Sequence, residues 1–204
     1  MNTLLFIKGL MIGFSIAAPV GPIGILCINR TLAMGLGAGL SSGLGAALAD
    51  ALYGCIAGFG LVSLSSFLLN QQKIITLVGG AFLLYLGLRT ILNRSAPNQI
   101  LDTANSIWRD FSSTFLLTLT NPATIISFLA IYASLGIVEP SANYLEAIMI
   151  VLGVFVGSLL WWCILSFTIH HIRHKLSDSL LKWINYGSGL ILLGFGLFAL
   201  IKSI

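Results

Sequence analysis

The sequence predicts an all-α integral membrane protein with six transmembrane helices, arranged as two inverted three-helix repeats. Three observations lead to this prediction: an apolar composition, six long apolar segments, and a match between segments of the two halves. Hydrophobic residue types make up 57% of the 204 residues and charged types only 8%, whereas a soluble domain carries about 25% charged residues. Because so few charges would leave a soluble protein without enough polar surface, we expect the chain to lie in a bilayer.

Six apolar segments are long enough for the roughly 20 residues that a spanning helix needs. They are 4–28, 36–69, 74–92, 111–135, 145–168 and 183–201. The second is long for one span, and we expect its end, 63–69, to lie at the membrane interface. A basic connector, 170–182, precedes the last segment. We therefore expect a single transmembrane domain, 1–204, in which repeat 1 covers 1–92, a polar loop covers 93–110, and repeat 2 covers 111–204.

The third and sixth segments match at a constant spacing along the chain. The matching pairs are Lys73/Lys182, Ile75/Ile184, Gly80/Gly189, Leu83/Leu192, Leu84/Leu193, Gly87/Gly196 and Leu88/Leu197. Matches among Leu and Ile are common by chance in such a composition, but two glycines and a lysine in the same frame are less so. Because each half has three spans, the second half must enter the membrane from the opposite side. The result is an inverted repeat, which is a common transporter design.

The distribution of positive charge predicts the orientation of the chain. With six spans, one side carries Arg30, Arg89, Arg94, Arg109, Arg173, Lys175 and Lys182. The other side carries Lys8, Lys73 and Lys202. We expect the side with more positive charge to be cytoplasmic, so that both termini lie outside, in the periplasm of a bacterial inner membrane.

Asp50 is the most informative single residue. No other charged residue lies between Arg30 and Lys73. A carboxylate in the middle of the bilayer costs about 2.5–3.5 kcal/mol on insertion scales. The side chain must therefore face water, accept hydrogen bonds, or be protonated. We expect it to exchange a proton during transport; the alternative is a protonated side chain that is hydrogen-bonded to a neighbouring helix.

Prolines predict a break in the first segment and another in the fourth. Pro19 and Pro22 flank Gly21 in the first, and Asn121 precedes Pro122 in the fourth. Proline removes a backbone donor, and the Asn side chain offers both a donor and an acceptor beside the break. Interrupted helices at corresponding positions of two halves are the best sequence indication of a transport site. We expect these five residues to converge on the acidic side chain. The alternative for the first break is a kink without ligand contact.

Other side chains leave more than one interpretation open. Trp161 and Trp162 lie inside the fifth segment, whereas interfacial tryptophans lie at helix ends. They either pack in the core or line the substrate path, where an aromatic face can hold a cation. The histidine-rich stretch 170–175 has no nearby carboxylate or cysteine, so we expect it to contact lipid headgroups rather than a metal. We expect no cofactor and no nucleic-acid partner. The sequence contains no nucleophile triad or phosphate loop that would indicate an enzyme.

These motifs resemble those of the lysine-exporter superfamily of LysE/RhtB type. Residues 17–61 are similar to the first two helices of that family, and 121–136 to its Asn-Pro motif. The resemblance implies six helices and proton-driven efflux of amino acids or small relatives. It gives as counterparts of the motif residues Pro19, Gly21, Pro22, Asp50, Asn121 and Pro122. The Pro-Val-Gly-Pro order and Ala123, where many relatives carry Lys, depart from the pattern and bear on substrate identity.

We therefore expect a secondary exporter whose partners are an amino acid or similar small molecule, protons and the lipid bilayer. Three alternatives stay open: an exporter of another metabolite or a cation, an uncoupled channel or membrane assembly protein, and, least favoured, an intramembrane enzyme. Glycines recur at four-residue spacing in several segments. This spacing lets helix backbones approach closely, either within one chain or across a homodimer.

Overall fold

A computed structural model describes residues 2–19, 21–58, 71–92, 103–121, 124–125, 127–128, 144–173 and 175–203. Every regular element in these ranges is an α-helix, so the predicted all-α class is confirmed. The helices are α1 (Asn2–Ala17), α2 (Pro22–Met34), α3 (Leu36–Gly58), α4 (Gln72–Leu92), α5 (Thr103–Leu119), α6 (Tyr144–Arg173) and α7 (Asp178–Ser203).

Three of the described helices are long and apolar enough to cross a membrane. The qualifying stretches are 73–92 in α4, 144–173 in α6 and 182–201 in α7. The pair α1 and α2 qualifies as a fourth span when taken together, with a bend of 78° between the two helices. The 23 residues of α3 extend about 35 Å, which also matches a bilayer core, but α3 is not among the helices that qualify. The count of six spans stays a prediction.

Several helices extend beyond the apolar segments from which they were predicted. Helix α2 continues past Ile28 to Met34, and α5 begins at Thr103, inside the stretch expected to be a polar loop. Helix α6 runs into the basic connector and ends at Arg173. Hydropathy marks only the part of a helix that suits lipid, whereas the backbone hydrogen bonds that define the helix continue through polar residues. The predicted segment end at 59–69 lies outside the described residues.

Helices α1 and α6 pack in parallel through glycines on both surfaces. Each glycine faces a backbone carbonyl of the other helix. The facing pairs are Gly9/Ile150, Gly13/Val154, Gly153/Phe6 and Gly157/Leu10. Residue numbers rise together along the two helices, which establishes the parallel direction. Because a side chain at any of these positions would overlap the opposing carbonyl, the four-residue glycine spacing is explained by close packing within one chain.

Helix α3 lies between α5 and α6. Its contacts with α5 run in parallel and include Ser41/Ile107, Gly45/Phe111 and Tyr53/Leu119. Its contacts with α6 run in the opposite direction and include Gly39/Ser166, Gly43/Trp162 and Asp50/Ser158. Helix α3 is therefore parallel to α5 and antiparallel to α6.

Helices α4 and α7 form an antiparallel pair with a local two-fold relation. A Cβ on Gly80 would lie 3.1 Å from the carbonyl oxygen of Gly196, and one on Gly87 would lie 2.9 Å from that of Gly189. The reciprocal distances are 2.9 Å and 3.1 Å. These four glycines are the ones that the sequence match pairs as 80/189 and 87/196. Replacing each glycine by its counterpart in the sequence match turns the Gly80/Gly196 contact into the Gly189/Gly87 contact. A two-fold axis through the helix crossing would have the same effect.

We expect Gly157→Ala to lower the thermal stability of the protein in detergent. Its new methyl group would overlap the backbone of Leu10, and overpacking a close interface costs about 1–3 kcal/mol. The measurement is the melting temperature, followed by intrinsic fluorescence.

Gly194→Ala is the matched control, because a Cβ there meets no atom within 4 Å. Alanine is also the better helix former by about 1 kcal/mol. Equal melting temperatures for the two variants would show that the α1–α6 contact is not closely packed.

Candidate functional site

The first helix is broken where the sequence predicts. Helix α1 closes with a bond from the Ala18 amide to the Phe14 carbonyl, 3.0 Å long, and α2 begins at Pro22. Gly21 is extended, with φ −106° and ψ −164°, and its carbonyl accepts the first α2 bond, from the Ile25 amide. Proline suits this first helical position, because its missing amide proton would have no partner in the helix. The sequence therefore ends one helix and starts another in a new direction.

Asp50 lies at the interface of α3 and α6 and is only 3% exposed. The Ser158 hydroxyl donates to Asp50 Oδ2 at 2.6 Å, and the Trp162 indole nitrogen donates to the same hydroxyl at 3.1 Å. Ser158 has one proton and two acceptor lone pairs. The indole N–H occupies one acceptor site of this hydroxyl, whose proton is donated to the carboxyl group. The three side chains form one directed chain of hydrogen bonds.

Two apolar clusters flank the level of Asp50 on α3. One contains Ala46 and Ala47, about a turn before it, together with Trp162 and the residues that border the helix break, Ala17 and Ile23. The other contains the next turn of α3 and residues of α1, α6 and the chain beyond α5. Its members are Ile12, Tyr53, Ile125, Phe128, Ile150 and Val154. The Asp50 carboxyl group thus lies between two apolar clusters, one of which adjoins the break between α1 and α2.

Asn121 organises the chain where α5 ends. Its amide donates to the Thr118 carbonyl at 3.2 Å, and its side-chain nitrogen donates to the Thr124 hydroxyl at 3.0 Å. Its carbonyl accepts the amides of Thr124 and Ile125, at 3.1 and 3.3 Å. These bonds start a new helical turn, as a helix N-cap does. Pro122, the other predicted residue of this motif, lies outside the described residues.

The two tryptophans differ in their surroundings. Trp162 is 4% exposed, and its side chain packs against Gly43. Trp161 is half-buried and makes an edge-to-face contact with Phe14 of α1, with ring centroids 5.4 Å apart. Both therefore contribute to helix packing, and Trp162 also contributes to the hydrogen-bond chain at Asp50. A role in the substrate path is untested by these contacts.

Arg30 was expected among the charges of a loop, and this assignment is wrong. The side chain is 7% exposed. Its Nη1 donates to Ser42 Oγ at 2.9 Å, to the Asp110 carbonyl at 2.8 Å and to Thr114 Oγ1 at 2.7 Å. Its Nη2 donates to Ser113 Oγ at 2.7 Å. The Asp110 carboxylate is 3.6 Å from Nε and is 2% exposed.

The predicted first segment ended at 28, before Asn29 and Arg30, whereas α2 continues through Arg30 to Met34. Arg30 therefore leaves the tally of loop charges, although the remaining imbalance keeps its direction. The run Asp110-Phe111-Ser112-Ser113-Thr114 was the available signal. A carboxylate followed by hydroxyls at helical spacing is a suitable partner for an arginine that must be buried.

Comparison with known proteins gives one family. The model of the LysE type translocator family matches residues 14–203. YcgF of Bacillus subtilis strain 168, whose name assigns it provisionally to amino acid efflux, is 31% identical over 199 residues, covering 95% of this chain and 94% of YcgF. The chemotactic transduction protein ChpE of Pseudomonas aeruginosa is 26% identical, covering 96% of this chain and 97% of ChpE.

A third relative matches over a shorter range. YahN of Escherichia coli K12, an uncharacterised membrane protein, is 31% identical over 143 residues, covering 68% of this chain and 63% of YahN. No solved structure matches the chain significantly. The family model spans almost the whole sequence. The chain belongs to the LysE family of membrane translocators.

Proposed function

We propose that the chain is a secondary exporter of amino acids or close derivatives, which exchanges its substrate for protons by alternating access. The observation that carries this proposal is the burial of Asp50 between two helices, with one hydrogen bond from Ser158. Protonation neutralises a buried carboxyl group and so changes the stability of its surroundings. A transporter can use that change to couple proton movement to a conformational step.

The substrate class is proposed from similarity. YcgF, at 31% identity over nearly its full length, carries a name that refers to amino acid efflux. An amino acid has an ammonium and a carboxylate group, and unpaired backbone groups beside a broken helix can bind both. We propose Pro19, Gly21, Pro22, Asn121 and Pro122 as the residues that shape this site. We propose that Trp161 and Trp162 form its aromatic wall.

The proposed architecture has six spans in two inverted halves. In six alternating spans, the first is parallel to the fifth, the second to the fourth, and the third is antiparallel to the sixth. The contacts of α1 with α6, α3 with α5, and α4 with α7 have these directions. The exchangeable glycine contacts of α4 and α7 support the two-fold relation. We propose the bacterial inner membrane as the location, with both termini on the periplasmic side.

A second candidate function deserves a separate test because of one relative. ChpE, at 26% identity, is named as a chemotactic transduction protein, and such a role does not require coupled flux. Channels and membrane assembly proteins also show no coupled flux. An exporter of another metabolite or a cation would differ only in its substrate. Saturable, gradient-driven flux of a labelled amino acid in proteoliposomes supports the exporter, and a screen of competing compounds identifies its substrate.

We expect Asp50→Asn to abolish the accumulation of labelled amino acid in everted vesicles driven by a proton gradient. Exchange of labelled for unlabelled substrate at equal pH should continue, because the uncharged side chain still fits the interface. The two assays on the same vesicles therefore separate coupling from binding.

Glu146→Gln is the control, because Glu146 lies in the first turn of α6, remote along that helix from Ser158. It should accumulate substrate like the unchanged protein. Normal accumulation by Asp50→Asn at normal expression would remove Asp50 from the coupling mechanism.

We also expect Ser158→Ala to reduce gradient-driven accumulation about tenfold. The substitution removes the hydroxyl donor to Asp50 and leaves the Trp162 indole without its acceptor, and a hydrogen bond to a charged group is worth about 1.5–3 kcal/mol. The measurement is the initial rate of uptake as a function of external pH.

Ser166→Ala is the matched control for this variant. Ser166 is also fully buried on α6, two turns beyond Ser158, and its hydroxyl contacts Cys27 rather than Asp50. Equal rates and equal pH profiles for the two serine variants would show that Ser158 does not position the carboxyl group.

A further inference from the structure

The buried Arg30 cluster is a second polar layer that the proposed coupling mechanism does not use. Arg30 lies on α2, and its side-chain partners lie on two other helices: Ser42 on α3, and Asp110, Ser113 and Thr114 on α5. A single guanidinium group therefore joins three helices. The cost of burying this cation is offset by the carboxylate of Asp110 and by the four hydrogen bonds that Arg30 donates.

This layer is separated from Asp50 by an apolar region. Ser42 and Asp50 are eight positions apart on α3, which corresponds to about 12 Å along the helix. Buried residues of α2, α3, α5 and α6 fill the interval. They include Leu26, Cys27, Ala46, Ala47, Leu117 and Trp162. Within this cluster, the indole nitrogen of Trp162 belongs to the hydrogen-bond chain at Asp50.

The Arg30 layer lies nearer than Asp50 to one end of the helices, which we take as one membrane surface: Ser42 is 6 residues from the start of α3, whereas Asp50 is 14. Asp110 is buried, but Trp108, two residues before it, is 71% exposed. The side chain of Arg109, which directly precedes Asp110, is 42% exposed. On α2, Arg30 lies four residues before the end of the helix at Met34. The Arg30 cluster therefore lies between the level of Asp50 and this end of the helices.

Helix α2 has a hinge at each end. At its start, the extended Gly21 and the 78° bend separate it from α1. At its end, Gly35 has φ +94°, a conformation that only glycine adopts readily, and α3 begins at the next residue. Because α2 has only 13 residues between these hinges, it can tilt while the long helices keep their positions.

We propose that Arg30 and Asp110 form the gate that closes the transport path between Asp50 and this membrane surface, and that α2 is the part that moves. This proposal depends on the proposed transport function. When α2 tilts, water replaces the lost contacts of Arg30, so the cation is not left unpaired. When α2 returns, the ion pair and four hydrogen bonds close the path again.

Cys27 provides a native probe of this gate. It lies on α2 one turn before Arg30, and its side chain is fully buried. The chain has only two other cysteines, Cys55 and Cys163, and Cys55→Ala with Cys163→Ala leaves Cys27 as the single thiol. A membrane-impermeant thiosulfonate reagent, added to either side of sealed vesicles, then reports whether Cys27 is open to that side.

We expect Asp110→Asn in this background to increase the rate of Cys27 labelling from one side of the membrane about tenfold, with no increase from the other. The ion pair then no longer holds α2, so the path opens toward one surface. Exchanging the charges, with Arg30→Asp and Asp110→Arg together, should bring the rate back toward that of the background. Labelled fractions are read by gel shift after quenching at timed intervals.

Arg109→Gln is the matched control, because Arg109 also contacts the Asp110 carboxylate, at 3.8 Å, but from an exposed position. Its labelling rate should equal that of the background. An unchanged rate in Asp110→Asn overturns the gate, and so does an equal increase from both sides, which indicates a loosened fold. If Asp110→Asn does not fold, Arg30→Lys takes its place under the same criteria.

Labelling of Cys27 does not depend on the identity of the substrate. A one-sided increase together with no amino acid flux would retain the gate and reject the proposed cargo. Flux with labelling that does not respond to Asp110→Asn would retain the exporter and reject the gate. The two proposals therefore fail separately.

Discussion

The constraint on which the structure depends is that polar groups in lipid must find partners within the protein. Two buried charged residues meet it in different ways. Arg30 forms an ion pair and donates four hydrogen bonds to two neighbouring helices. Asp50 receives a bond from Ser158, which is itself held by Trp162. The first arrangement satisfies a cation almost completely, whereas the second gives a buried carboxyl group a single described hydrogen bond.

Glycine determines how these polar groups come together. The carbonyls that face Gly9, Gly13, Gly153 and Gly157 bring α1 and α6 into backbone contact. In the same way, the missing side chain of Gly43 leaves room for the side chain of Trp162, whose indole nitrogen donates a hydrogen bond to Ser158. Because lipid gives no hydrophobic drive for helices to associate, this close packing supplies much of the attraction between them. The position of the Asp50 side chain is thus a consequence of small residues elsewhere on the same helices.

Much of this architecture could be predicted from the sequence, because composition and proline chemistry act locally. The apolar segments, the break before Pro22 and the isolation of Asp50 within an apolar stretch need no tertiary information. The partners of Arg30 and Asp50 could not be predicted, because Asp110 and Ser158 come from distant parts of the chain. A charge at the end of an apolar segment resembles a loop residue unless the neighbouring helix is known to offer hydroxyl groups. The start of α5 at Thr103 was missed for a related reason, since its first turns are polar.

The paired glycines of α4 and α7 have a consequence for the proposed alternating-access mechanism. The contact between Gly80 and Gly196 and the contact between Gly87 and Gly189 are chemically alike, but they lie two turns apart, about 10 Å, along the same crossing. Each can be altered alone. A larger side chain at one contact would wedge the two helices apart toward one leaflet, and the same change at the other would wedge them toward the opposite leaflet. In the proposed alternating-access mechanism, single substitutions at these glycines would therefore shift the balance between the two faces of the membrane.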